Sequence, residues 1–160
     1  MSKKHVQVGN IDCGSDQLFL ISGPCVIEAE PLMMRTAERL KALSERLKVP
    51  LIFKSSFSKD NRSSLDYFQG PGLDEGLKLL QKIKAEFGLP LLTDIHYPDQ
   101  AAPAAQVVDV LQIPAYLCMQ TTLVVTAAKT GAVVNLKHGQ FLAPDNMIKP
   151  VQNIAIAVVT

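Results

Sequence analysis

Residues 53–64 form a segment rich in cationic and hydroxyl side chains, and it begins where the apolar run 51–53 ends. The segment contains two lysines, one arginine, one asparagine and five serines. Arg62 can offer paired donors to a planar anion, whereas Lys54 and Lys59 act as compact point charges. Phosphate and carboxylate groups are therefore the expected ligands. The alternative is a solvated loop, because Ser, Asp, Asn and Arg also make good exposed turns.

Other polar side chains stand at the carboxyl ends of further predicted strands. They are Cys25, Glu28, Asp94, His96, Gln112 and Lys137. In a parallel barrel of strands and helices the active site lies at that face and takes groups from several strand ends. The pattern therefore predicts one shared pocket. For His96 a structural hydrogen bond is the alternative to a catalytic role.

Five short apolar runs are rich in branched residues and alternate with longer segments of helical period. The runs cover residues 18–22, 51–54, 90–94, 107–112 and 132–137. Nearly continuous apolar runs are typical of buried parallel strands, and the alternation is typical of strands that are each followed by a crossing helix. Residues 5–11 are predicted to form an edge strand or a hairpin ahead of them.

Three helices are predicted from apolar spacing and from their end signals. The first covers 31–47, with Pro31 in the first turn, where a missing N–H costs nothing. The second begins after Gly72 and ends at Gly88. The third covers about 121–129. The fold class predicted from these elements is α/β.

Length and composition limit the classes of function. The chain has 160 residues, 48% of them hydrophobic, which is enough for one core of ordinary domain size. Sixteen basic and fifteen acidic residues give a formal charge of +1, so no overall basic field indicates nucleic acid or an anionic membrane as partner. Three cysteines without a CxxC pair fit a reducing cytoplasm. Residues 5–10 alternate in polarity, so no signal peptide is expected there.

Several motifs together resemble the 3-deoxy-D-manno-octulosonate 8-phosphate synthase family. The motifs are Gly23-Pro24-Cys25 with Glu28, Phe53-Lys54, Lys59, Asn61-Arg62-Ser63-Ser64, Gly70-Pro71-Gly72, Thr93-Asp94-Ile95-His96, Asp109 to Ala115, Ala128 to Gly131 and Asn135-Leu136-Lys137. The resemblance extends to about Pro144. It implies a TIM (β/α)8-type barrel, of which this chain carries about the first five β/α units in a single domain that is incomplete at its C-terminal side.

The resemblance also implies a reaction of lipopolysaccharide sugar synthesis. Phosphoenolpyruvate would condense with D-arabinose 5-phosphate and water to give the octulosonate 8-phosphate and free phosphate. Lys54, Lys59 and Lys137 would bind phosphoenolpyruvate, and Asn61, Arg62 and Ser63 the pentose phosphate. Asp94 would lie near the sugar hydroxyls, and His96 and Gln112 complete the predicted site. A cytoplasmic homotetramer is the implied assembly.

Cys25 is the one predicted metal ligand. A single cysteine is ordinarily a small buried hydrophobe. The family, however, has an asparagine here in its metal-independent class and a cysteine in its metal-dependent class, and Gly23-Pro24-Cys25 resembles the latter. The implied cofactor is a divalent ion of the zinc, iron or manganese type, because thiolates suit borderline and soft ions. Its other ligands, a His, a Glu and an Asp, would come from later strand ends.

Two further hypotheses remain beside this one. A sister synthase that uses phosphoenolpyruvate with erythrose 4-phosphate shares the Gly-Pro-Cys motif, but resembles Lys-Pro-Arg-Thr where this chain has Lys59-Asp60-Asn61-Arg62-Ser63. A closed barrel takes about 250 residues, so the chain is either a fragment, a part completed by other chains, or a non-catalytic remnant. Met119 stands where the family has an arginine that helps to hold the pentose phosphate.

Overall fold

The computed structural model describes residues 5–64 and 66–159, and within them seven strands and five α-helices form. The strands are β1 Val6–Val8, β2 Ile11–Cys13, β3 Leu20–Ser22, β4 Leu51–Lys54, β5 Leu91–Asp94, β6 Val110–Ile113 and β7 Val133–Leu136. The helices are α1 Glu30–Leu47, α2 Leu73–Phe87, α3 Ala101–Ala105, α4 Thr121–Lys129 and α5 Ile148–Val159.

Five of the strands form one sheet in the order β3-β4-β5-β6-β7. The pairs β3–β4, β4–β5 and β6–β7 are parallel, with a helix in each connection between successive strands of the sheet. The strands β1 and β2 pair antiparallel in a separate two-stranded sheet, which is the hairpin predicted near the N-terminus. The predicted α/β class, with the strand–helix order of a (β/α) barrel, is confirmed.

The chain divides within β5 into two compact units. The first ends at Leu92, and in it the side of α1 that carries Met33 and Ala37 is fully buried. Helix α1 packs against both α2 and β4, and Leu80 and Ile83 of α2 are equally inaccessible to solvent. The core of this unit therefore lies between the helix pair and β4.

The second unit begins at Thr93. Its core contains Leu111 and Ile113 of β6 together with Val124 and Ala127 of α4. Helix α5 packs against α4 and buries Ala157, while other apolar side chains of α5 stay exposed. No helix among residues 5–64 and 66–159 combines the length and the apolar character that crossing a membrane requires.

The expectation that all five strands are buried is wrong for the two end strands of the sheet. Leu20 and Ile21 of β3 are 42% and 38% exposed, and β7 is half-buried along its length. Among the described strands each end strand has one hydrogen-bonded neighbour, so the side chains of a second neighbouring strand do not shield it from solvent. By contrast, all the residues of β5 and β6 are buried.

Two helices were not predicted. Helix α3 contains Pro103, which ordinarily interrupts a helical pattern, but here it lies in the first turn, where a missing N–H is tolerated. Helix α5 contains Pro150 in its own first turn. The predicted boundaries of β4 and α4 agree with the structure, and α1 starts one residue earlier than predicted, at Glu30.

Candidate functional site

Lys54 is the last residue of β4, and its ammonium group is held at the carboxyl end of that strand. Its Nζ donates a hydrogen bond to Oγ of Ser56, 3.2 Å away. Ser56 is fully buried, whereas Lys54 is half-buried, so the cation stands between the core and solvent. The geometry places a positioned charge where the sequence predicts an anion site.

The segment that contains Cys25 is fastened to the end of β4 by three contacts. The Oγ of Ser55 donates to the carbonyl of Pro24 at 2.8 Å, and the backbone N–H of Ile27 donates to the carbonyl of Ser56 at 2.9 Å. A Cβ on Gly23 would lie 2.0 Å from the Lys54 carbonyl oxygen, so only glycine allows this approach. Cys25 is exposed at this fastened segment.

The loop that carries Asn61, Arg62 and Ser63 is closed at its base and exposed at these three residues. The backbone N–H of Lys59 donates to the carbonyl of Gln69 at 2.7 Å. A hydrogen bond of 3.1 Å from the N–H of Gly72 to the carbonyl of Phe57 adds a second tie, and the Phe57 side chain is fully buried. The polar tip is thus presented to solvent from a fixed base.

Arg62 borders an open groove of about 660 Å³ in the first unit. The groove is lined by Val26, Glu28, Ala29, Arg62, Tyr67 and Phe68. Tyr67 and Phe68 are each 57% exposed, and Arg62 is exposed as well, so the groove lies at the surface. The groove therefore combines one guanidinium, one carboxylate and two aromatic side chains.

In the second unit a chain of side-chain hydrogen bonds crosses three strands. Asn135 Nδ2 donates to Gln112 Oε1 at 3.0 Å, and Gln112 Nε2 donates to Asp94 Oδ1 at 2.5 Å. Asp94 and Gln112 are buried, and Asn135 is half-buried. Two of the predicted site residues, Asp94 and Gln112, are therefore in direct contact. Asn135 was not among the predicted site residues, and the one signal for it was its place two residues before Lys137.

His96 and Lys137 lie on the segments that follow β5 and β7. The backbone N–H of His96 donates to Gln100 Oε1 at 2.8 Å, which fixes the start of the turn after β5. Lys137 is exposed, and its backbone N–H donates to the carbonyl of Ile113 at 3.1 Å. That the strand-end residues of both units form one pocket stays a prediction.

The described residues do not fit a complete metal site. Among them no group of three or more His, Cys, Asp and Glu side chains lies close enough together to hold a metal ion. Protein zinc sites take three or four protein ligands, so the exposed thiol of Cys25 is one donor of an incomplete set. No chemical step is therefore assigned to a metal in this chain.

The family match and the curated relatives agree with each other. The profile of the DAHP synthetase I family matches residues 2–160. A 2-dehydro-3-deoxyphosphooctonate aldolase of Trichlorobacter lovleyi is 56% identical over 153 residues, which are 95% of this chain and 56% of that protein. The protein with the same name from Campylobacter jejuni is 56% identical over 131 residues, or 82% of this chain and 48% of that protein. The chain spans about half the length of the curated relatives that it matches.

Proposed function

The chain belongs to the DAHP synthetase I family, and from that premise we propose that it serves the condensation of phosphoenolpyruvate with D-arabinose 5-phosphate and water. The products are 3-deoxy-D-manno-octulosonate 8-phosphate and phosphate, for lipopolysaccharide synthesis. The observation that carries the proposal is the cationic end of β4, where Lys54 is held by Ser56 and the exposed Arg62 follows on a loop with a fixed base. The 56% identity to proteins named 2-dehydro-3-deoxyphosphooctonate aldolase supports it.

Three lysines are assigned to phosphoenolpyruvate in this proposal: Lys54, Lys59 and Lys137. Carbon 3 of the enol forms a bond to the sugar aldehyde carbon, whose oxygen takes up a proton. Water adds to carbon 2, and the carbon–oxygen bond to phosphate then breaks to leave a ketone. Preorganised cations stabilise the charge that moves between the carboxylate, carbon 2 and the departing phosphate. The buried hydroxyl of Ser56 supports this role for Lys54, because it limits the movement of the ammonium.

The pentose phosphate is assigned to the exposed loop tip, with Asn61, Arg62 and Ser63 as donors. Arg62 supplies the paired N–H groups that match phosphate oxygens. Asp94 is an acceptor for sugar hydroxyls, and its partner Gln112 holds one of its oxygens. His96 follows Asp94 by two residues and stays a predicted catalytic residue.

Cys25 is proposed as a ligand of a divalent metal of the zinc, iron or manganese type. Its exposure on a segment fastened to β4 supports this assignment, and the remaining ligands would lie outside the described residues. A bound divalent ion would supply Lewis-acid polarisation of an oxygen. Binding of cobalt to the natural gene product, followed by its thiolate charge-transfer absorption, tests the assignment without reference to turnover. Cys25→Ala should abolish the absorption and Cys118→Ala should retain it.

Phosphate release from phosphoenolpyruvate plus arabinose 5-phosphate tests the activity, with erythrose 4-phosphate in a parallel reaction. Lys54→Met should lower kcat/KM by about ten- to a hundredfold, because it removes a charged hydrogen bond to an anion. Lys78→Met is the matched control, since Lys78 is an exposed lysine of α2 paired with Glu75. Arg62→Ala should chiefly raise KM for the sugar phosphate. Arg39→Ala is the control, since Arg39 is an exposed arginine of α1.

The outcomes separate the alternatives. Turnover only with erythrose 4-phosphate would replace the proposal by the sister synthase. Binding of phosphoenolpyruvate without turnover would favour a remnant, for which the half-exposed Met119 is the specific observation. Met119→Arg should lower KM for arabinose 5-phosphate, because it supplies the guanidinium that the family has at this position. The cytoplasmic homotetramer remains part of the proposal, and sedimentation of the natural gene product checks its size.

A further inference from the structure

Asn135 occupies a defined position beside Gln112. In the parallel pair β6–β7 the two residues are register partners, so their side chains lie on the same face of the sheet. One layer earlier the partners are Val110 and Val133. The amides of Gln112 and Asn135 thus follow a layer of two valines. Gln112 is buried, so a missing hydrogen bond at its amide is costly because water cannot easily replace it.

The hydrogen bonds in this chain have one direction. An ionised carboxylate only accepts, so Asp94 requires the NH2 end of Gln112. The oxygen end of Gln112 then faces Asn135, which must donate its own NH2. The two ends of an amide have nearly the same shape, so packing alone does not choose between them. The acceptor at position 94 makes this choice, and the NH2 of Asn135 pairs the oxygen end of Gln112 that results.

We propose that Asn135 is a positioning residue: its NH2 pairs Oε1 of Gln112 and so holds the Gln112 amide in the orientation that Asp94 requires, and Gln112 thereby holds the Asp94 carboxylate as an acceptor for the hydroxyls of a polyhydroxylated substrate. The orienting role stands on the three-residue geometry, and the last step rests on the proposed function. A carboxylate offers about four acceptor positions, so the hydrogen bond from Gln112 does not by itself exclude a second donor.

Asn135→Asp tests the orienting role, because it puts an acceptor at both ends of Gln112 with little change of shape. Urea unfolding of the full Asn135→Asp chain should give an equilibrium constant for folding that is at least about tenfold lower than that of the wild type. Asp94→Asn combined with Asn135→Asp should recover most of this loss. The side-chain amide of Gln112 can then flip, so that it donates to the new carboxylate at position 135 and accepts from the new amide at position 94. Asp94→Asn alone should cost little, since an amide oxygen can also accept from Gln112.

Two controls separate orientation from simple charge effects. Asn146→Asp adds the same charge at an exposed position of the second unit and should leave the folding constant within about twofold. In a Gln112→Met background, Asn135→Asp should cost no more than Asn146→Asp. Repulsion acting directly between positions 94 and 135 would persist without Gln112, and that result would overturn the proposal. Additive effects of the Asp94→Asn and Asn135→Asp changes would overturn it too.

The functional step has its own readout. In the natural-length enzyme, Asn135→Asp should raise KM for arabinose 5-phosphate by about tenfold or more, with KM for phosphoenolpyruvate changed less than about threefold. Equal changes in both KM values would overturn the link to the hydroxyl-bearing substrate. Absence of turnover in the wild type would refute the proposed function, and the unfolding experiment would still decide the orienting role. If Asn135→Asp does not fold, folding of the double variant supports the proposal and its failure to fold overturns it.

Discussion

Replacement of Gly76 by alanine is expected to destabilise the first unit, although alanine is the better helix former. Gly76 lies in the first turn of α2 and faces Phe57. A Cβ at position 76 would lie 2.4 Å from the Cβ of Phe57 and 3.2 Å from its Cα, and 3.4 Å from Cδ1 of Ile27. The two closest atoms cannot be moved by a change of rotamer, because they belong to or adjoin the backbone.

Two opposing effects decide the size of the change. Exchange of glycine for alanine inside a helix stabilises by about 1 kcal/mol. An extra carbon in a packed core costs roughly 1 to 3 kcal/mol, and the upper end applies where backbone must shift. The expected net loss of unfolding free energy is therefore about 2 kcal/mol, from the difference between packing cost and helix propensity. Phe57 lies between Lys54 and Lys59 in the chain, so the proposed binding of phosphoenolpyruvate should weaken as well.

Urea unfolding of the 160-residue chain, followed by circular dichroism, measures the difference. Ala85→Gly is the matched control, since Ala85 is an exposed residue of the same helix and reports the propensity difference without a packing contact. A Gly76→Ala chain that is more stable than wild type by the amount that Ala85→Gly loses would refute the packing argument. The close contact with Phe57 would then be absorbed by the structure at no cost.

Two more predictions concern the hydrogen bond of Ser55 and the reactivity of the three cysteines. Ser55→Ala should lower the unfolding free energy by about 1 to 2 kcal/mol, because it removes the donor to the Pro24 carbonyl, and equal urea midpoints would contradict this. Iodoacetamide should label exposed Cys25 first, Cys13 more slowly and buried Cys118 last. Burial, and then the carboxylate of Asp12, raise the pKa of Cys13, which lowers its reactive thiolate fraction. Peptide mass spectrometry gives the order, and prior labelling of Cys118 would oppose it.

The elements that carry the site could be predicted where local pattern and tertiary environment agree. Strand β4 and helix α4 have the predicted bounds because a short branched apolar run and a helical period each point to one structure. Strand β3 has a similar apolar composition but is an end strand with exposed side chains. Composition indicates that a segment forms a strand, whereas its place in the sheet decides whether the strand is buried.

Contacts within the site were harder to predict than its residues. Lys54, Asp94 and Gln112 could be placed at strand ends because the ends of parallel strands share one edge of a sheet. The anchoring roles of Ser55 and Ser56 could not, since both read as ordinary members of a polar segment. Each is fully buried because the 23–27 segment lies beside it, which is a contact between residues distant in sequence.

The direction of the Gln112 hydrogen bonds shows why sequence reasoning stops where it does. The residue type says that position 112 carries one donor end and one acceptor end, and burial says that both must be paired. The NH2 end meets Asp94, because a carboxylate oxygen accepts. Neither residue type nor burial says what meets the oxygen end. That partner depends on the register between β6 and β7, which puts the amide of Asn135 against the oxygen of Gln112. A shift of one residue would move Asn135 to the opposite face and remove the donor. The hydrogen bonding of Gln112 therefore depends on strand register as much as on residue identity.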